Sequence, residues 1–377
     1  MNFLIFGGDN YNTLGMIRTL GEEGIPVYAV IYSGDYVIAS KSKYIKKLRK
    51  VSSIEEGYEF VKKYGEKNGK EDKIYLLVEG DATTEFLDEH YDQLRNYYIY
   101  NQAQGNLVHY MNKHEQVKIA AKHGLNTMKT WTVDVGVIPE DIIYPVTTKA
   151  VSSKNFHWKS EVFVCKSEKE LKDAYSRISS PQIILQQFLE KNNELCLDGF
   201  SINRGNVQFI TIASNYRYLI PGKYSFACNV FNFHDEKMIN TIREIMSEIG
   251  FEGIYSIEFL VDTHGELYFL EINFRNSGWS YASTVAGMPL PILWAKAMDS
   301  KAIDQSWKKE IKEGFIFIDD FNDFKARVMS RKMSLLSWIK EYKNADCRLS
   351  LGRKDSYPMF AYLFHRAIRK FKKGFRN

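Results

Sequence analysis

Cysteine is scarce in this chain of 377 residues. The four that occur, at 165, 196, 228 and 347, form no Cys-x-x-Cys pair and have no metal-ligand spacing. That excludes a disulfide framework and implies a reducing compartment. No apolar run approaches the roughly 20 residues that span a bilayer. No signal-peptide pattern precedes the strand-like Phe3-Leu-Ile-Phe6, so the expected location is the cytoplasm. Gly7-Gly8 lacks the Gly-x-Gly-x-x-Gly pattern and reads as a tight strand-to-helix turn, not a dinucleotide fingerprint. There is also no general excess of one charge. Residues 353–377 hold eight of the 51 Lys/Arg and one of the 46 Asp/Glu, leaving 43 basic and 45 acidic residues elsewhere. A near-neutral body with a basic tail excludes a broad nucleic-acid surface. The 45% hydrophobic content, with 24 Tyr and 24 Phe, excludes disorder and supplies core for two or three subdomains.

The first hundred residues alternate between strand and helix patterns. Strand 3–6 leads through the Gly7-Gly8 turn into an amphipathic helix with Met16, Ile17 and Leu20, closed by Gly24. Val27–Ile31 is the next strand, Glu55–Tyr64 a helix, and Ile74–Val78 a strand ending at Glu79-Gly80-Asp81. This alternation predicts a doubly wound parallel sheet, whose ligands gather at the carboxyl ends of the strands. Further on, Asn112–Gly124 reads as a helix with Asn112 as cap, Gln116 near the capping-box position and Gly124 as stop. Leu195–Ile202 and Val207–Ala213 read as antiparallel strands around an Arg204-Gly205 turn, Glu236–Gly250 as a helix, and Pro289–Met298 as a closing helix.

The most informative stretch is Tyr255–Arg275. Tyr255, Ile257, Phe259 and Val261 alternate as one strand, Leu267–Ile272 is another, and Asp262-Thr-His-Gly265 is the turn between them. Glu258 lies about as far before the turn as Glu271 and Asn273 lie after it, so pairing brings two carboxylates and an amide oxygen together. Both glutamates sit in apolar runs, where a charge needs a partner or a metal. Hard oxygen ligands of this kind suit Mg²⁺, which completes its shell with nucleotide phosphates. Arg275, two residues beyond Asn273, offers a planar fork to a phosphate or carboxylate.

This order and spacing, a Glu on one strand and Glu-x-Asn-x-Arg on the next, resembles the ATP-grasp superfamily, nearest its carbamoyl-phosphate-synthase-like and carboxylate–amine ligase members. The resemblance covers about residues 1–300. It implies an α/β (α+β) fold of a doubly wound parallel-sheet domain followed by two subdomains that clamp ATP. The implied segments are 1–105, a small lid lobe 106–185, a large lobe with the metal site 186–300, and an extension 301–377. It implies Lys113 and Lys149 on the nucleotide phosphates, Gln186, Gln187, Phe188 and Leu189 as the adenine hinge, and Glu194 on the ribose. Glu258, Glu271 and Asn273 become the metal ligands for Mg²⁺, with Mn²⁺ as an alternative ion. Arg275 and Lys149 become the catalytic cations. Gly8, Asp9, Glu79 and Asp81, with Asn276, Ser277, Trp279 and Tyr281, become the acceptor-side candidates. The chain departs from the family at 152–160, where Ser152-Ser-Lys154-Asn-Phe-His157-Trp-Lys159-Ser160 replaces a glycine-rich lid, so those lysines and histidine would supply positive charge.

The activity implied is ATP-dependent ligation: a carboxylate activated as an acyl phosphate and joined to an amine, with small-molecule partners and no nucleic acid. No nucleophilic Cys or Ser is required. The alternative is a non-catalytic ATP-binding sensor, which loss of motif residues would mark. A homodimer is left open. Residues 357–377 form a basic amphipathic pattern with two open readings. The helix packs on its own protein, or it makes peripheral contact with the inner face of a membrane. The second would favour a surface-polysaccharide or lipid-linked substrate.

Overall fold

The computed structural model describes residues 1–33, 37–151, 161–221, 224–352 and 354–374, with side chains up to residue 368. The loop 152–160, including Lys154, His157 and Lys159, lies outside them, as do the side chains of the last basic residues. Contacts divide the chain into two units, one of 1–108, 195–257 and 272–377, the other of 109–194 and 258–271. These boundaries do not follow the four consecutive segments expected.

The first unit opens with β1 (Phe3–Gly8), β2 (Val27–Tyr32), β3 (Ile45–Val51), β4 (Ile74–Val78) and β5 (Tyr98–Ile99), a sheet ordered β3-β2-β1-β4-β5. Every pairing in it is parallel, as the alternation predicts. Sequence reading misses β3, whose Ile-Lys-Lys-Leu-Arg-Lys-Val carries no apolar run. Lysines blunt an edge strand against pairing with other chains, and β3 is an edge. The helix Ile54–Asn68 covers one face, where Phe6, Val30, Leu76, Tyr58 and Val61 form a core.

The second unit contains β6 (Thr130–Asp134), β7 (Val146–Ala150), β8 (Val164–Cys165) and β9 (Gln182–Gln187), ordered β6-β9-β7-β8 and antiparallel throughout. Its core is Val146, Cys165, Leu171, Tyr175, Ile183 and Leu185. The helix Lys113–Lys122 starts as expected, with Asn112 Oδ1 accepting from His114 N at 2.9 Å. Gln116 does not complete a capping box. It is buried and donates instead to the Tyr110 carbonyl at 2.9 Å, because it lies one residue past the position that can reach back to the cap.

The remaining strands are β10 (Lys191–Ile202), β11 (Val207–Tyr216), β12 (Ala227–Phe231), β13 (Gly253–Asp262), β14 (Leu267–Asn273), β15 (Phe315–Ile318) and β16 (Cys347–Arg348). They form a sheet ordered β14-β13-β10-β11-β12-β15-β16. The β10–β11 turn uses left-handed backbone at Asn203, Arg204 and Gly205. Only glycine fits the last, since a Cβ there would sit 2.0 Å from the Met246 carbonyl oxygen. In the β13–β14 turn, Asp262 Oδ1 accepts from His264 N and Glu266 N at 2.8 and 2.9 Å, and Gly265 takes a positive φ.

Residues 301–377 are more than an appendage. They supply β15 and β16 and a buried ion pair: Arg18, fully buried in the helix Tyr11–Glu22, meets Asp355 and the carbonyls of Leu349 and Ser350. Breaking such a pair one-sidedly costs about 3–5 kcal/mol. The helix Tyr357–Gly374 packs inward through Met359 and Tyr362. Among the described residues no helix is long and apolar enough to cross a membrane.

Candidate active site

The second unit holds a cavity of about 200 Å³. Lys113, Lys149, Gln186, Thr130, Glu258 and Glu271 line it, with Val117, Ile184 and Leu270 as its apolar wall. Each polar residue is placed by a different element: Lys113 by the first turn of the helix Lys113–Lys122, Lys149 and Gln186 by β7 and β9, and the glutamates by β13 and β14. Lys113 Nζ meets Glu271 Oε2 at 2.8 Å. Lys149 Nζ donates to Gln186 Oε1 at 2.5 Å, and Gln186 Nε2 donates to Thr130 Oγ1 at 3.2 Å. Burial pulls the Lys149 ammonium down to about 8, the Lys113 charge adds to this, and Glu271 opposes it. A desolvated lysine beside a second lysine is a site waiting for an anion.

Other nucleotide-side candidates are placed as follows. The Gln187 N–H goes to the Lys129 carbonyl and the Phe188 N–H to the Pro145 carbonyl, both at 2.8 Å. Those two N–H groups therefore tie strands together, while the Phe188 side chain stays exposed and Leu189 follows, half-buried. Glu194 pairs with Lys191 at 2.6 Å at the start of β10. The side-chain oxygen of Gln186, a residue of the expected adenine hinge, accepts from Lys149.

The first unit gathers a second polar cluster. Arg275 Nε and Nη2 donate to Asp81 Oδ1 and Oδ2 at 2.7 and 3.2 Å, and Nη2 also donates to Asn273 Oδ1 at 3.1 Å. Asp81 opens the helix Asp81–Glu89. Gly8 N donates to Glu79 Oε2 at 3.1 Å, across the carboxyl ends of β1 and β4. Gly7 permits this approach, because a Cβ there would lie 2.6 Å from Glu79 Cβ. Asn276 is buried, and its Oδ1 has no hydrogen-bond partner among the described residues. Ser277 Oγ accepts from Trp279 N at 3.1 Å, and the Trp279 ring packs edge-on against Phe317 at 4.9 Å.

Two acceptor-side candidates are engaged within the protein. Asp9 is buried, and its carboxylate accepts from Ile38 N, Ser40 N and Ser40 Oγ at 2.8, 3.0 and 2.6 Å. It holds the 38–40 loop and has little left to offer a substrate. Tyr281 lies in the core with its hydroxyl on Glu22 at 2.7 Å.

Sequence reading also missed residues that shape this cluster. Asn101 donates to the carbonyls of Ile254 and Phe274 and accepts from Ile254 N, fixing the strand end before Arg275. Asp198, fully buried at a bulge in β10, takes a hydrogen bond from Ser280 Oγ at 2.7 Å. Burial pushes its carboxyl up to about 6, against hydrogen bonds from Ser277, Ser280 and Cys196 and the charge of Arg275. Its signal was available: a carboxylate in the apolar run Leu195-Cys-Leu-Asp-Gly-Phe200, the pattern that singled out Glu258.

Comparison with known proteins places this fold in a class. The fold is similar to that of the L-amino acid ligase from Bacillus licheniformis, with a TM-score of 0.60 at 14% identity over 80% of this chain and 76% of that one. It is also similar to N5-carboxyaminoimidazole synthetase from Staphylococcus aureus complexed with ADP, with a TM-score of 0.64 at 13% identity over 86% and 85%. This is the ATP-grasp fold. Residues 107–305 match the family described as carbamoyl-phosphate synthase L chain, ATP binding domain, and the chain belongs to that family. A curated relative, the N5-carboxyaminoimidazole ribonucleotide synthase of Staphylococcus haemolyticus, is 23% identical over 154 residues. That match spans 38% of this chain and 38% of the relative, little more than a third of its length.

Proposed function

We propose that the protein is an ATP-dependent carboxylate–amine ligase. The observation that carries this reading is the cavity in which Lys149, its ammonium pulled down to about 8, and Lys113 face Glu258 and Glu271. Two cations and two hard-oxygen donors are what a magnesium–polyphosphate group needs. The donor set also fits the ion by type. Among the described residues no three His, Cys, Asp or Glu side chains cluster as a metal site, and two carboxylates suffice for Mg²⁺ when phosphates and water complete its shell.

In this reading Lys113 and Lys149 bind the phosphates. Glu258 and Glu271 hold Mg²⁺, with Asn273 as the third ligand that the motif supplies, and Mn²⁺ can take its place. Bound Mg²⁺ would supply neutralisation of charge on the phosphate oxygens. Gln186–Leu189 and Glu194 flank the base and ribose. Arg275 orients and neutralises the transferring group. A substrate carboxylate takes up the phosphoryl group, and an amine then displaces phosphate from the acyl carbon. Gly8, Glu79, Asp81, Asn276, Ser277 and Trp279 surround the acceptor. The unpartnered Asn276 Oδ1 suits an N–H donor, which supports an amine as nucleophile. Residues held in place supply the catalysis through position and charge.

The basic helix Tyr357–Gly374 supports a finer reading, in which the carboxylate belongs to a surface polysaccharide or a lipid-linked precursor. The test is ADP and phosphate release over a panel of carboxylates, uronic acids included, each paired with amines. The expected result is release that needs both partners. Tight ATP binding with no release for any pair would instead indicate a sensor.

A further inference from the structure

We propose that the Arg275 cluster selects an acceptor that carries an ammonium group and no carboxylate or phosphate beside it. The proposal rests on the ligase reading and names the substrate class of its acceptor side. Three carboxylates stand in the cluster, Glu79, Asp81 and Asp198, against one cation, Arg275. The guanidinium is already engaged. It makes two hydrogen bonds to Asp81, one to Asn273 Oδ1 and one, at 3.5 Å, to the Asn276 carbonyl. An anionic ligand group must displace Asp81 before it meets that fork. Asp198 adds a charge that the protein leaves without an ion-pair partner. It is fully buried, and Ser280 Oγ and Cys196 Sγ donate to it at 2.7 and 3.9 Å. Among the described residues no ion pair includes it, and Arg275 acts on it only from further away. Its carboxyl, pushed up to about 6 by burial, is largely ionised at neutral pH. A buried charge without a counter-ion is costly, and a cationic ligand supplies one.

Asn276 calls for the same kind of ligand, independently of the carboxylates. It is 4% exposed, its Nδ2 donates to the Ser277 carbonyl at 3.3 Å, and its Oδ1 has no partner among the described residues. A buried amide oxygen that lacks a donor fits an N–H group and rejects a carboxylate, which brings only acceptors. Asp198 also steadies this oxygen. Ser280 Oγ, bound to Asp198, accepts from Ser277 N at 2.9 Å, and Ser277 Oγ accepts from Trp279 N at 3.1 Å, so the turn that follows Asn276 is held in place. Among the described residues no three His, Cys, Asp or Glu side chains could hold a metal ion, so the cation that fits is an organic one. An ammonium group brings positive charge and N–H donors together.

Matched amines test this without ATP or a donor carboxylate. Cadaverine and ethanolamine are titrated calorimetrically into the full chain beside lysine and serine, which differ from them only by a carboxylate, and beside phosphoethanolamine. At least one of the two amines is expected to bind, about tenfold or more tighter than its anionic counterparts. Asp81→Asn, which frees the Arg275 fork, should narrow that ratio by tightening the amino acid. Asp198→Asn should narrow it by weakening the amine, with the thermal unfolding of both variants followed to confirm that they fold. An amino acid bound as tightly as its amine would overturn the proposal. So would no binding of either amine, or a ratio unchanged in both variants. Turnover with amino-acid acceptors alone would overturn it and leave the ligase reading standing. Selective amine binding with no turnover for any pair would support it and remove the ligase reading.

Discussion

The cavity of the second unit and the Arg275 cluster of the first handle charge in opposite ways. In the cavity, Lys113 and Lys149 stand together against Glu271, and desolvation strains one of them. In the cluster, Arg275 is satisfied by Asp81 and Asn273, and Asp198 by serine hydroxyls. The first arrangement is preorganised for a polyanion. In the second, a ligand must compete with bonds the protein already makes. In the proposed reading the nucleotide side is therefore built to bind, and the acceptor side to select.

If that contrast holds, the largest effect follows from removing a cavity carboxylate. Glu271→Gln should lower magnesium-dependent ATP turnover by about 10²–10³-fold with the circular dichroism spectrum intact. Turnover near the wild-type level would remove Glu271 from the site. Arg275→Ala should lower kcat with little change in the KM for ATP, because in the proposed role Arg275 acts on the transferring group and does not line the nucleotide cavity. Asp81→Ala should instead act chiefly on the KM of the acceptor, by about tenfold or less. A rise in the KM for ATP in either variant would break the division between the two regions.

The pH dependence sharpens the same comparison. In its proposed role Lys149 binds phosphate only while protonated, and in the free protein its proton is lost near pH 8. The KM for ATP should therefore rise between pH 7 and 9, and Lys149→Arg should flatten that rise. A flat wild-type profile would count against a phosphate role for Lys149. Asp198 titrates near 6, above its ordinary value of 3.8. Its contribution to stability is full below about 4 and is lost as pH rises through about 6. Asp198→Asn should thus raise stability at pH 8 relative to wild type by on the order of 2 kcal/mol, with little gain at pH 4. An equal effect at both pH values would mean that the buried charge is not the cause.

The sequence was far more legible on one side of this comparison than on the other. Glu258, Glu271, Lys113 and Lys149 stand in apolar or helix-start contexts where a charge calls for a partner, and the structure lines one cavity with them. The parallel sheet of β1, β2 and β4 was equally plain, because buried strands read as continuous apolar runs. The basic edge strand β3 carried no such run. Asp9 and Tyr281 looked available because their partners, Ser40 and Glu22, are recognisable only once the chain has folded. Arg18 gave no sign that it would meet Asp355, 337 residues away. A short motif can announce a charge, but the partner that satisfies it is a matter of tertiary structure.

The central claim is that the Lys149 cavity holds the phosphates of ATP. Calorimetric titration of ATP with Mg²⁺ into the wild type and into Lys149→Met tests it most directly. The account predicts saturable wild-type binding, weakened about tenfold or more when the buried ammonium is removed, with thermal stability maintained in the absence of nucleotide. Equal affinity in the two proteins would contradict it.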